Sequence, residues 1–196
     1  MAERLIVGLG NPGKDYEYTR HNLGFFVLEH ISQSKGLKWK RSVLCDGVEA
    51  EGKDGDLEFR LLMPSSFMNN SGKPVKQFVR QNDFDLKNVL VVCDDFNLNF
   101  GQLRVRRRGS DGGHNGLHSV IYHLESEDFC RLRLGIGMPP GKKSAEEYVL
   151  EEFTKKEREE LGFFVDEASN CCLSWLTKDL NEVMSQFNKR KENEQV

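Results

Sequence analysis

The sequence lacks a cysteine framework. Its five cysteines (Cys45, Cys93, Cys130, Cys171 and Cys172) are odd in number and include no Cys-x-x-Cys pair. They read as the reduced thiols of a cytoplasmic protein, not as a disulfide scaffold. No cluster has the ligand spacing of a metal site, so no metal is expected. No apolar run approaches the roughly 20 residues of a membrane span. Met1-Ala2-Glu3-Arg4 leads straight into a strand pattern, unlike a secretory signal. Gly-x-Ser-x-Gly is absent, so neither a serine nor a cysteine stands in a nucleophile motif. Repeats and linkers are missing as well. The expectation is one domain over residues 1–188, followed by a charged, frayed tail over 189–196.

What is present suits a folded core. The chain has 196 residues, of which 38% are hydrophobic and 30% charged. Its net charge of −3 argues on its face against a nucleic-acid partner, but the local distribution of arginine argues the other way. Leu5 to Leu9 is a short apolar run, the pattern of a strand buried on both faces. Gly10-Asn11-Pro12-Gly13 must then turn the chain. A helix is expected from Thr19, a good N-cap, with His21 in its first turn and Leu23, Phe26, Val27, His30 and Ile31 at helical spacing before Gly36.

Strands are expected over about 42–50 and 57–63, joined by a turn at Gly52-Lys53-Asp54-Gly55. A helix with Pro74 in its first turn follows, and Val89 to Cys93 reads as the central strand. Further strands are expected over Gln102–Arg108 and Arg131–Gly137, flanking a helix that follows Asp111-Gly112-Gly113-His114-Asn115-Gly116. The remainder is helical, with capping boxes at Ser144/Glu147 and Thr154/Glu157. Alternation with at least one hairpin predicts an α/β fold, a twisted mixed β-sheet sandwiched between α-helices.

Gly8-x-Gly10-x-x-Gly13 after a strand matches the dinucleotide fingerprint. That fingerprint needs a helix starting inside the glycine loop. Here Pro12 lacks an N–H and the helical pattern starts several residues later, which argues against nucleotide binding.

Polar groups gather just beyond strand ends, where open α/β sheets bind ligands. They are Asn11, His21, Asn69, Asp94 with Asp95, and His114 with Asn115. A neutral His21 can serve as general base if its other nitrogen donates to a carboxylate, and Asp94 is the natural one. With no nucleophile motif, water is the expected nucleophile. Asn69 and Asn115 are candidate donors to an oxyanion. Arg104, Arg106 and Arg108 would share one strand face, and with Arg107 they suggest a phosphate site that Arg131, Arg133, Lys142 and Lys143 extend.

From about Leu5 to about Leu180 the chain resembles the bacterial-type peptidyl-tRNA hydrolases. The resemblance rests on Val7 to Gly13, Thr19-Arg20-His21-Asn22-Leu23-Gly24, Phe67 to Gly72, Gly112 to Gly116 and Arg131 to Gly137, in order and at family-like spacing. It implies hydrolysis of the ester between peptide and tRNA by a cofactor-free monomer. The acceptor stem and 3′ CCA end would be the bound parts. It also implies His21 as base, oriented by Asp94, and Asn11 as the group that tells blocked from free α-amino groups. Tyr16, Phe67, Asn69 and Asn115 would contact the terminal nucleotide and peptide, with His114 near the acceptor end. The family usually follows its acidic pair with Leu-Asp-Leu-Pro-x-Gly; here Asn97 and Asn99 replace the acid and the proline. A non-catalytic RNA-binding relative of the same fold is the alternative.

Overall fold

The computed structural model describes residues 3–188, so the tail expected over 189–196 lies outside the described residues. Leu5, Ile6 and Val7 are fully buried on both faces of their strand, as an unbroken apolar run requires of a central position. That strand, β1 (Arg4–Gly8), lies between parallel neighbours β4 (Leu57–Pro64) and β5 (Val89–Asp95). Beyond β5, β7 (Cys130–Gly135) is also parallel, and β6 (Leu103–Arg106) closes that edge antiparallel. β3 (Gly47–Asp54) and the short β2 (Lys40–Arg41) complete the other edge, giving the order β2-β3-β4-β1-β5-β7-β6.

Helices cover both faces. α1 (Leu23–Ser34), α4 (Ala145–Val149), α5 (Lys155–Thr177) and α6 (Leu180–Phe187) pack on one side; α2 (Gly72–Gln81) and α3 (Asn115–Leu124) pack on the other. The mixed sheet between helical layers is the expected fold class. Both capping boxes form: Ser144 Oγ accepts from Glu147 N, and Thr154 Oγ1 from Glu157 N.

Several boundaries differ from expectation. β3 starts later than residue 42 and runs through Gly52 to Asp54, so the hairpin turn is Gly55-Asp56. Gly52 belongs to the strand because the Phe59 ring, opposite in register, occupies the place of its missing side chain. Thr19 does not cap α1. Its hydroxyl donates to Tyr16 O (2.8 Å), and a single 3₁₀ turn, Arg20–Asn22, precedes the helix. The fifth arginine-strand position is also lost: β6 ends at Arg106, so Arg108 lies past it. His30 is half-exposed on α1 and pairs with Asp166 of α5 (3.2 Å).

One close approach positions the site. A Cβ on Gly24 would lie 2.6 Å from the carbonyl oxygens of Leu9 and Val92. Gly8 faces Gly24 in the same contact, so the start of α1 rests directly on the ends of β1 and β5. Gly8 and Gly10 therefore serve helix–strand packing, Gly10 beneath the Phe25 ring, whereas Gly13 turns the chain at a positive φ of 104°. Only a single 3₁₀ turn, Lys14–Tyr16, follows Gly13; α1 begins at Leu23, so no α-helix N-terminus opens inside the loop.

Candidate active site

His21 sits on the 3₁₀ turn, buried above the end of β5. The turn is tied to the loop after β1 by an amide pair. Asn11 N donates to Asn22 Oδ1 (2.7 Å) and Asn22 Nδ2 donates to Asn11 O (3.0 Å). Asn11 in turn accepts from Met68 N through Oδ1 (2.7 Å). Its Nδ2 is thereby left as a donor with no partner among the described residues.

Asp94 is 1% exposed, and its Oδ1 lies 2.8 Å from His21 Nδ1 and 3.0 Å from His114 Nε2. His114 is the N-cap of α3, and its Nδ1 accepts from Leu117 N (3.1 Å). A ring nitrogen that accepts an N–H carries no proton, so neutral His114 holds its proton on Nε2 and donates it to Asp94. The ionised carboxylate only accepts, so His21 also donates, from Nδ1, and keeps a lone pair on Nε2. Burial alone would raise the Asp94 carboxyl. The two imidazoles outweigh burial and hold it well below the usual carboxylate range.

His21, Asp94 and His114 offer ligand atoms within 4.8 Å of one another, a spacing that also suits a cation. The bond from Leu117 N decides between the two readings. It places the His114 proton on the nitrogen that faces Asp94, where a metal would need a lone pair. The cluster is built as a hydrogen-bonded relay.

These three side chains line a narrow cleft with Asp95, Phe96, Gly112, Gly113 and Asn115 on one side and Ala145, Glu146 and Val149 of α4 on the other. Its volume of about 50 Å³ holds a few water molecules but not a nucleotide. Asn115 thus lies at the cleft as expected. Asn69 does not line it: it is exposed on the 3₁₀ turn Met68–Asn70, the turn that Asn11 binds. Tyr16 and Phe67 meet edge-on at 6.0 Å, and Phe67 is 55% exposed, which leaves its ring free to stack.

The arginines divide. Arg104 stands opposite Arg133 across the β6–β7 ladder, so the two share a face, as Arg106 does with Arg131. Arg133 Nε lies 3.0 Å from Asp95 Oδ2, and its guanidinium covers Gly112 so closely that a Cβ there would collide. Arg131 corrects the expectation. It is buried and donates to the carbonyls of Gly109, Ser110, Glu127 and Phe129, so it orders the 109–110 loop and has no face for a phosphate. Arg108, beyond the strand, lies 3.5 Å from Asp128 and is not on the Arg104 face. Lys143 is paired with Glu151 (2.6 Å).

Sequence reasoning missed the second histidine on Asp94, the Asn11–Asn22 pair and the buried Arg20. The N-cap position of His114, directly before the apolar helix pattern, was the one local signal of the first.

The His21–Asp94–His114 cluster gives this end of an α/β sheet the groups for acid–base chemistry. The particular family follows from relatives. The peptidyl-tRNA hydrolase family model matches residues 5–195. A peptidyl-tRNA hydrolase of Oceanobacillus iheyensis is 41% identical, over 94% of this chain and 99% of the relative. A chloroplastic peptidyl-tRNA hydrolase of Arabidopsis thaliana is 42% identical over 98% of this chain and 67% of the relative. The crystal structure of peptidyl-tRNA hydrolase from Acinetobacter baumannii superposes with a TM-score of 0.90 at 33% identity, covering 96% of this chain and 95% of that one. The chain belongs to the peptidyl-tRNA hydrolase family.

Proposed function

We propose that this chain hydrolyses the ester joining a peptide to the 3′ end of tRNA, with water as nucleophile and His21 as general base. One observation carries the assignment: Asp94 Oδ1 accepts a hydrogen bond from His21 Nδ1, which leaves Nε2 basic at the cleft. Nε2 removes a proton from water as the water oxygen bonds to the ester carbonyl carbon. The imidazolium so formed is stabilised by ionised Asp94. The carbonyl oxygen becomes an oxyanion, for which Asn115 at the cleft and Asn69 beside Met68 are the candidate donors. Collapse breaks the ester, and the imidazolium returns its proton to the departing tRNA hydroxyl.

The free Nδ2 of Asn11 supports a role in selection. A blocked α-amino group offers it a carbonyl acceptor, whereas a free ammonium offers only donors. Tyr16 and Phe67 suit stacking of the terminal base, and Arg104, Arg106 and Arg133 suit acceptor-stem phosphates. The reading holds the enzyme to be a cytoplasmic monomer. Five free cysteines fit a reducing compartment.

The test is cleavage of N-acetyl-aminoacyl-tRNA beside the same tRNA with a free amino group. Wild type should cleave only the blocked substrate, and His21→Ala neither. Binding of tRNA with no cleavage by wild type would transfer the chain to the non-catalytic RNA-binding reading.

A further inference from the structure

The residue before the proposed base is the odd one in its neighbourhood. Arg20 is 2% exposed, a buried cation compensated through Nη1 and Nη2 while its Nε has no hydrogen-bond partner among the described residues. Its Nη1 donates to Glu152 O (2.8 Å) and Glu151 O (3.3 Å), just past α4, with Tyr148 O in the last turn of α4 at 3.5 Å. Its Nη2 donates to Glu157 Oε2 (2.9 Å) in the first turn of α5. The guanidinium carbon lies 4.2 Å from the Tyr148 ring centre and 5.4 Å from that of Phe153. The backbone joins in: Arg20 N donates to Glu151 O (3.0 Å), and Thr19 bridges to Glu152.

α4 is the helix whose Ala145, Glu146 and Val149 form the cleft wall opposite Asn115. One side chain therefore holds both the turn that carries His21 and the end of the helix that walls the cleft. A salt bridge for stability alone does not need this geometry, since a buried ion pair is a weak source of stability. Nothing in the proposed reaction uses Arg20.

We propose that Arg20 is a positioning residue: by clamping the α4–α5 corner it fixes the 3₁₀ turn so that His21 Nδ1 meets Asp94 and Nε2 faces the cleft at a set distance from α4. The inference rests on the reading of His21 as base for its kinetic consequences, but not for its structural one. A planar fork reaching several carbonyls and a carboxylate is not reproduced by the point charge of lysine. Displacement of a catalytic group by about 1 Å costs on the order of 100-fold in rate.

The experiment compares Arg20→Lys, Glu157→Gln and Thr154→Ala with wild type at a temperature where circular dichroism shows each folded. Glu157→Gln keeps the capping box but removes the charge that Arg20 holds. Thr154→Ala weakens the same corner without touching Arg20, and serves as the control. The first readout is the nitrogen-15 NMR signature of the His21 ring. Arg20→Lys should lose the hydrogen-bonded Nδ1 proton, and Glu157→Gln should shift it. Thr154→Ala should leave it in place.

The second readout is kcat and KM on N-acetyl-aminoacyl-tRNA. The kcat of Arg20→Lys should fall roughly 10- to 100-fold, with a smaller change in KM. Should Arg20→Lys not fold, Glu157→Gln decides the matter by the same His21 resonance. A wild-type His21 signature in folded Arg20→Lys or, failing that variant, in Glu157→Gln overturns the proposal. So does an equal change in Thr154→Ala, which would make the effect one of corner stability. A lost His21 signature in an enzyme whose wild type shows no turnover would sustain the positioning role while removing the esterase reading.

Discussion

His114 Nε2 lies 3.0 Å from the same Oδ1 of Asp94 that His21 Nδ1 approaches to 2.8 Å. One oxygen thus accepts hydrogen bonds from two imidazole N–H groups, and only one of the two rings has a nitrogen left over. The other nitrogen of His114 is spent on Leu117 N. The pair is therefore unequal by construction, and the inequality separates the base from its support.

Asp94→Asn removes the acceptor that fixes the His21 tautomer, and turnover should fall on the order of 10³-fold or more. Steady-state cleavage of N-acetyl-aminoacyl-tRNA measures it. A loss under about tenfold would detach Asp94 from the proposed mechanism.

His114→Ala should be milder. Asp94 keeps His21 but loses one charge-assisted donor, a loss of about 1.5–3 kcal/mol, so turnover should fall about 10- to 100-fold. If His114→Ala matched His21→Ala in severity, the division of labour between the rings would be wrong.

Acid should find Asp94. Its folded carboxyl is held below its unfolded value, so the unfolded state binds the proton more readily. The stabilising contribution is full above the unfolded value of about 4 and drains away as pH falls further, through the depressed folded value. Urea unfolding between pH 2 and pH 6 should show the stability gap between wild type and Asp94→Asn narrowing below about pH 4. A gap independent of pH would contradict the depressed carboxyl.

Asn11 separates two roles by substitution. Asn11→Ala abandons Met68 N, a buried bond at 2.7 Å, and should cost about 1–3 kcal/mol of stability. Asn11→Asp keeps that acceptor and replaces the free donor by an acceptor, so it should fold well. Its preference for blocked over free aminoacyl-tRNA should fall at least about tenfold, the scale of one discriminating hydrogen bond. An unchanged preference ratio would remove Asn11 from selection.

Arg104→Ala and Arg106→Ala should each weaken tRNA binding and reduce the slope of log affinity against log salt by about 1. Arg108→Ala, off that face, should do neither. Arg131→Ala should unfold the protein more readily, because several carbonyls lose their donor at once.

The fold was legible where one residue class dictated one environment. Leu5–Val7 and Val89–Cys93 are apolar without interruption and became central strands. Ser144 and Thr154 announced two helices through their capping boxes. His21 and Asp94 were legible as a pair because each follows or ends a predicted element at one edge of the sheet. The errors arose where a distant partner overrides local pattern. Gly52 looks like a turn until the Phe59 ring is laid over it. Arg131 looks like a phosphate ligand until the 109–110 carbonyls close on it. The bond from His114 to Asp94 spans a strand and a glycine loop, and no local periodicity encodes that distance.

Strand order has one more consequence. Asp94 is the penultimate residue of β5, while Arg104 stands two strands away on β6, beyond β7. Neighbouring strands are spaced about 4.8 Å, so the sheet sets a separation of roughly 10 Å between the backbones that carry Asp94 and Arg104. The sheet acts as a ruler. It fixes how far Asp94 stands from Arg104, and it takes that measurement from backbone spacing, which no side-chain substitution can recalibrate.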